Sequence, residues 1–231
     1  MKGLGILFIL FTCLGGGTNL SGAAEMEVRL PGGAVAHVEV NSIREQRFRD
    51  VVEQRYDMSC GSGALATLLT YHYGQPVAEE ELFVAMFKAG DQQAIREKGF
   101  SLLDIKKYLE NQGYVANGFY ESLDTLKGVG IPAIVLINLG GYQHFVVVKG
   151  VTDSEVLVGD PAFGLRIYDR TAFEAMWNGL LFVIENKMQL ARPTFNLASA
   201  WSTRPKAPLR DIRATKVLML QPWMLKSTNE F

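Results

Sequence analysis

The chain predicts an α+β domain, with helices first and an antiparallel sheet after them. Three observations carry this. An apolar run of helical length begins at Cys60, two further helical patterns end by residue 113, and four β-branched runs of strand length follow residue 130. The connections between the middle strands are too short for helical crossovers, so those strands run antiparallel. The 231 residues, 48% hydrophobic and 20% charged, suffice for one globular domain with tails. A net charge of −1, with no interleaving of basic and aromatic residues, indicates no nucleic-acid face.

Residues 1–24 read as a secretory signal peptide. Lys2 precedes an apolar run from Leu4 to Leu14 that is short for a bilayer span, and small residues at Ser21, Gly22, Ala23 and Ala24 offer a cleavage site. An uncleaved anchor is the competing reading, and a lipid-modified Cys13 is disfavoured by Leu10 and Phe11 before it. Cleavage near Ala24 removes Lys2 and Cys13, taking the formal charge from −1 to −2 and leaving Cys60 as the one cysteine. An unpaired thiol in an oxidising compartment is a liability unless it is buried or used.

Residues 25–44 read as a hairpin segment, two loosely alternating stretches around Pro31-Gly32-Gly33. The main domain spans 45–186. Its first helix starts close to Cys60, behind Ser59 and among Gly61 and Gly63, and runs through small and apolar residues to Gly74. Helices follow at 79–88 and 101–112, the latter with Ser101 as N-cap, Asp104 three residues on and Gly113 past its end. Strands are expected at 131–137, 144–148, 155–158 and 180–184. From 187 to 231 the periodicity is lost and Pro193, Pro205, Pro208 and Pro222 accumulate, as in a tail or docking segment.

Four residues carry candidate chemistry. Cys60 at a helix start has its thiolate favoured by the helix dipole, and the neighbouring glycines let a substrate backbone approach. His144 opens a strand after Gly140 and Gly141. A hairpin through 150–154 returns Asp160 alongside it, where a carboxylate can accept the imidazole N–H and hold the ring. Gln54, six residues before Cys60, is a neutral donor suited to an oxyanion, whereas the nearby Asp57 would repel one. His37, in an alternating strand, and His72, about three turns along the Cys60 helix, read as structural. No spaced cluster of His, Cys and Asp indicates a metal, and no organic cofactor is implied.

Together, Gln54, the pair Cys60-Gly61, the run His144-Phe145-Val146-Val147-Val148 and Gly159-Asp160-Pro161 resemble the C39 peptidases over about residues 45–185. These are papain-like cysteine peptidases, best known as processing domains of bacteriocin-exporting ABC transporters that cut after a double glycine. The resemblance implies a papain-like fold, with the Cys on the helical half and His and Asp on the sheet. It implies Cys60, His144 and Asp160 as triad and Gln54 in the oxyanion hole. Ser59 and Gly63 depart from the acidic residue and the alanine common in the family.

With its signal-like start the chain looks like the stand-alone, exported C39 proteins of functional-amyloid secretion systems. That implies a periplasmic location, a secreted protein or peptide substrate such as an amyloid subunit, and membrane-associated secretion machinery as a partner. A non-catalytic peptide-binding module and a transglutaminase-like acyl transfer are the alternatives.

Overall fold

The computed structural model describes residues 24–29, 35–40 and 42–201. The expected signal peptide up to residue 23, the expected turn around Pro31 and the residues from 202 onward lie outside the described residues. The chain divides into two units, Met1–Ser42 and Ile43–Phe231. In the first, β1 (Ala24–Arg29) and β2 (Val35–Val40) pair antiparallel, with Val28 opposite Ala36 and His37 opposite Glu27.

The second unit opens with five helices: α1 (Ile43–Phe48), α2 (Cys60–His72), α3 (Glu79–Ala89), α4 (Gln92–Lys98) and α5 (Leu102–Asn111). Then come β3 (Ala116–Tyr120), α6 (Leu123–Val129), β4 (Ala133–Leu139), β5 (Tyr142–Val151), β6 (Glu155–Asp160), β7 (Gly164–Asp169), α7 (Arg170–Met176) and β8 (Leu180–Ile184). α8 (Met188–Ala191), a 3₁₀ turn at Arg192–Thr194 and α9 (Ala198–Trp201) follow. Among the described residues no helix is long and apolar enough to cross a membrane.

Local chemistry sets several of these limits. Ser101 and Asp104 form a reciprocal capping box on α5, with Ser101 Oγ 3.2 Å from the Asp104 backbone N and Asp104 Oδ2 2.8 Å from the Ser101 backbone N. α6 ends on Gly130 in the left-handed region, at φ 71°.

The six-stranded sheet has the order β3-β8-β4-β5-β6-β7, and every pairing in it is antiparallel. Alternation along β5 divides the core. Phe145 and Val147 pack with Leu65 and Leu68 of α2, Met86 of α3 and Ile105 of α5. Val146 and Val148 pack on the other side with Leu126 of α6 and Phe173 of α7. Covered on both faces, β5 is an unbroken buried run from His144 to Val151.

α2 is buried almost all round, which is why it lacks a polar stripe. The segment after β8 wraps back onto the sheet. Asn196, at φ 56°, donates its backbone N–H to Lys149 O, and its side chain exchanges two hydrogen bonds with the Val151 backbone. Phe195 joins the core.

Candidate active site

α2 begins at Cys60 because the preceding segment is held away from helical geometry. Ser59 Oγ donates to Tyr56 O at 2.9 Å and accepts from Tyr56 N at 3.2 Å, so it makes no side-chain cap for α2. The first helical bond runs from Gly63 N to Ser59 O at 2.9 Å. Cys60 therefore stands in the first turn of a 13-residue helix with the positive end of the dipole behind it, 6% exposed.

His144 and Asp160 come together across two strands. The register sets Val147 opposite Gly159, and one further step sets Asp160 opposite Val146. His144 is thus the diagonal neighbour of Asp160 on the same face, a separation that two side chains span. His144 Nε2 donates to Asp160 Oδ1 at 2.8 Å, with the two side chains 2% and 0% exposed. Asp160 is fixed in turn, since Oδ1 also accepts from Ala162 N at 2.9 Å and Phe163 N at 3.2 Å.

With Nε2 committed to Asp160, the buried His144 Nδ1 has no hydrogen-bond partner in the structure and is the nitrogen left for Cys60, whose side chain acts on the ring as a close neighbour. Burial pulls the imidazole down, but the Asp160 charge and hydrogen bond, and behind them Cys60, push it up to about 10. The arrangement stores a proton between a buried carboxylate and a thiol, which suits nucleophilic chemistry.

Gln54 lies beside this group. Its backbone N donates to Pro161 O at 2.9 Å, tying the segment before α2 to the Asp160 loop. Its amide Nε2 donates to Tyr56 O at 3.1 Å, and its buried Oε1 has no hydrogen-bond partner. A second N–H on the same nitrogen remains for a ligand. Gly63 explains how closely these parts approach: a Cβ there would come within 2.7 Å of Pro161 Cβ and 3.4 Å of Gln54 Cβ.

The cleft in front of His144, about 300 Å³, is lined by Gln54, Asp57, Met58, Leu139, Tyr142, His144, Ala162 and Phe163. Asp57 contributes its backbone carbonyl, which accepts from the Tyr142 hydroxyl at 3.0 Å. Tyr142 and Phe163 were not foreseen from the sequence. Strand alternation is the signal for Tyr142, which is two residues before His144 and stacks on its ring, centroids 6.1 Å apart. His72 lies at the far end of α2, about 18 Å from Cys60 by helical rise, where it is buried with Nδ1 2.6 Å from Thr194 Oγ1.

A model of the Peptidase C39 family matches residues 49–189, the stretch that holds all of these groups. The chain belongs to the C39 peptidase family. Among relatives of this C39 peptidase are two proteins named "Probable functional amyloid protease FapD". The one from Pseudomonas aeruginosa is 44% identical over 155 residues, 67% of this chain and 69% of its own. The one from Pseudomonas fluorescens is 44% identical over 165 residues, 71% and 73% of the two chains.

The solved peptidase domain of Streptococcus ComA, a bi-functional ABC transporter involved in quorum sensing, is 22% identical with a TM-score of 0.51. The match covers 58% of this chain and 96% of that one, and the likeness is one of fold. The C39 domain therefore has the α+β, papain-like architecture expected, and a peptidase role comes with the family.

Proposed function

We propose that this chain is an exported cysteine endopeptidase that cleaves a secreted protein, with Cys60 as nucleophile, His144 as base and acid, and Asp160 as the group that orients the imidazole. The observation that carries it is the buried His144–Asp160 hydrogen bond of 2.8 Å, which leaves Nδ1 to a thiol in the first turn of α2. The raised imidazole favours the imidazolium at neutral pH, which sets a positive charge beside Cys60.

The thiolate attacks the scissile carbonyl carbon, and the carbonyl oxygen takes up the negative charge. The Cys60 backbone N–H and the free N–H of Gln54 Nε2 receive that oxyanion. His144 then gives its proton to the leaving amine as the C–N bond breaks. Water, deprotonated by His144, attacks the thioester, releasing the carboxylic acid and restoring Cys60.

The names of the two Pseudomonas relatives point to an amyloid subunit, or a protein that handles it, as substrate. The basic, apolar and small-residue order of 1–24 supports export to the periplasm beside membrane-associated secretion machinery. The test compares wild type with Cys60→Ala, each incubated with secreted proteins encoded beside the chain. Wild type is expected to produce fragments, which mass spectrometry places, and Cys60→Ala none. Equal processing by both would overturn the assignment, and cross-linked products would identify an acyl transferase instead.

A further inference from the structure

Tyr142 is held in place from three sides. The turn before it runs through Gly140 and Gly141, at φ 66° and 103°, and Gly141 N donates to Asn138 Oδ1 at 2.6 Å, which pins the start of β5. The ring lies 28° from coplanar with the His144 imidazole. The hydroxyl crosses the cleft to donate to Asp57 O at 3.0 Å, three residues before Cys60. At that point the Cys60 side chain acts on it as a close electrostatic neighbour. A phenol has one proton, so the carbonyl of Asp57 and the sulfur of Cys60 are two acceptors for one donor. While Cys60 is a thiol the carbonyl is the better acceptor. Once the sulfur carries charge, the sulfur is. Burial, followed by Cys60 and Asp57, pushes the phenol up, which keeps its proton available to donate.

We propose that Tyr142 is a further catalytic residue, whose hydroxyl turns from the Asp57 carbonyl to the Cys60 sulfur and holds the thiolate beside the His144 imidazolium. No bond is made or broken in this step; one hydrogen bond is exchanged for a charge-assisted one. The titratable groups around the sulfur are His144 and Tyr142 of β5, Asp57 before α2, and Asp160 of β6 behind His144. The inference rests on the peptidase assignment only in taking Cys60 as the nucleophile.

The experiment needs no substrate. Iodoacetamide alkylation of Cys60 is followed by peptide mass from about pH 5 to 10, a range bracketing free thiol and thiolate, in full-length wild type and Tyr142→Phe. Phenylalanine keeps the ring and its stacking on His144, and circular dichroism checks the fold. A hydrogen bond to a charged group is worth enough to move the alkylation midpoint by about one pH unit. Tyr142→Phe is therefore expected to react about tenfold more slowly below the midpoint and to converge on wild type at the alkaline plateau. Superimposable profiles would overturn the proposal. So would a variant that reacts faster at every pH, which would make Tyr142 a mere shield. Equal processing by Cys60→Ala would remove the peptidase assignment yet leave this alkylation result standing, so the two failures are separable.

Discussion

Asp160 Oδ1 receives three donors, one from an imidazole and two from backbone N–H groups. Asparagine keeps the two backbone bonds if its oxygen stays where Oδ1 is, so Asp160→Asn is expected to fold. With its oxygen at the Oδ1 position it also keeps the bond from His144 Nε2, and its amide nitrogen takes the place of the partnerless Oδ2. The tautomer is kept, and what is lost is the negative charge that holds the imidazolium beside Cys60. With the carboxylate gone, burial dominates and the imidazole falls from about 10 toward its ordinary range or below it. Turnover in the cleavage assay is expected to drop on the order of 10²–10⁴-fold in a variant that still folds; activity within about twofold of wild type, near the scatter of such assays, would take Asp160 out of the mechanism. These positions were legible in the sequence because each demands one residue type in one context. Tyr142 was not, because its partner is the Asp57 carbonyl 85 residues upstream, and a carbonyl leaves no mark on composition.

Among the elements, the contact of α2 with the Asp160-Pro161 loop governs the site. Alanine in place of Gly63 gains up to about 1 kcal/mol of helix propensity. Its methyl also meets the Pro161 ring, with Cβ atoms 2.7 Å apart, and a proline ring cannot swing aside as a long flexible side chain does. Overpacking of this kind costs about 1–3 kcal/mol, so the net change is destabilising. Gly63→Ala is expected to lower the melting temperature by roughly 2–6 °C for a unit of this size and to slow cleavage by displacing Asp160. A variant as stable and active as wild type would show that the loop yields freely.

α2, α3 and α5 were readable as elements, as were β4, β5, β6 and β8, from long apolar runs or clear caps. β3 and β7 were not, since Ala-Asn-Gly-Phe-Tyr and Gly-Leu-Arg-Ile-Tyr-Asp break the β-branched pattern. Nor could local sequence show that β8 inserts between β3 and β4, because that placement is decided by which hydrophobic faces remain uncovered.

For the whole molecule, two buried histidines shifted in opposite directions shape the dependence of stability on pH. His144 is raised when folded, so its contribution is fully present below the unfolded value of about 6.5 and is lost as pH climbs toward about 10. His72 is lowered well below 6.5, first by burial and then by Lys149. Unfolding lets it take up a proton, so stability falls as pH drops below about 6.5. Its tautomer is set by Thr194, whose hydroxyl donates to Ala191 O at 2.6 Å and so can only accept from His72 Nδ1. The melting temperature of wild type is therefore expected to peak near pH 6–7, the interval between the two losses. Differential scanning calorimetry across this range should show the alkaline decline flattened in Asp160→Asn and the acid decline flattened in His72→Gln. Unchanged limbs in both variants would mean that these two imidazoles keep ordinary proton affinities in the folded chain, and the buried ion pair proposed for catalysis would lose its electrostatic basis.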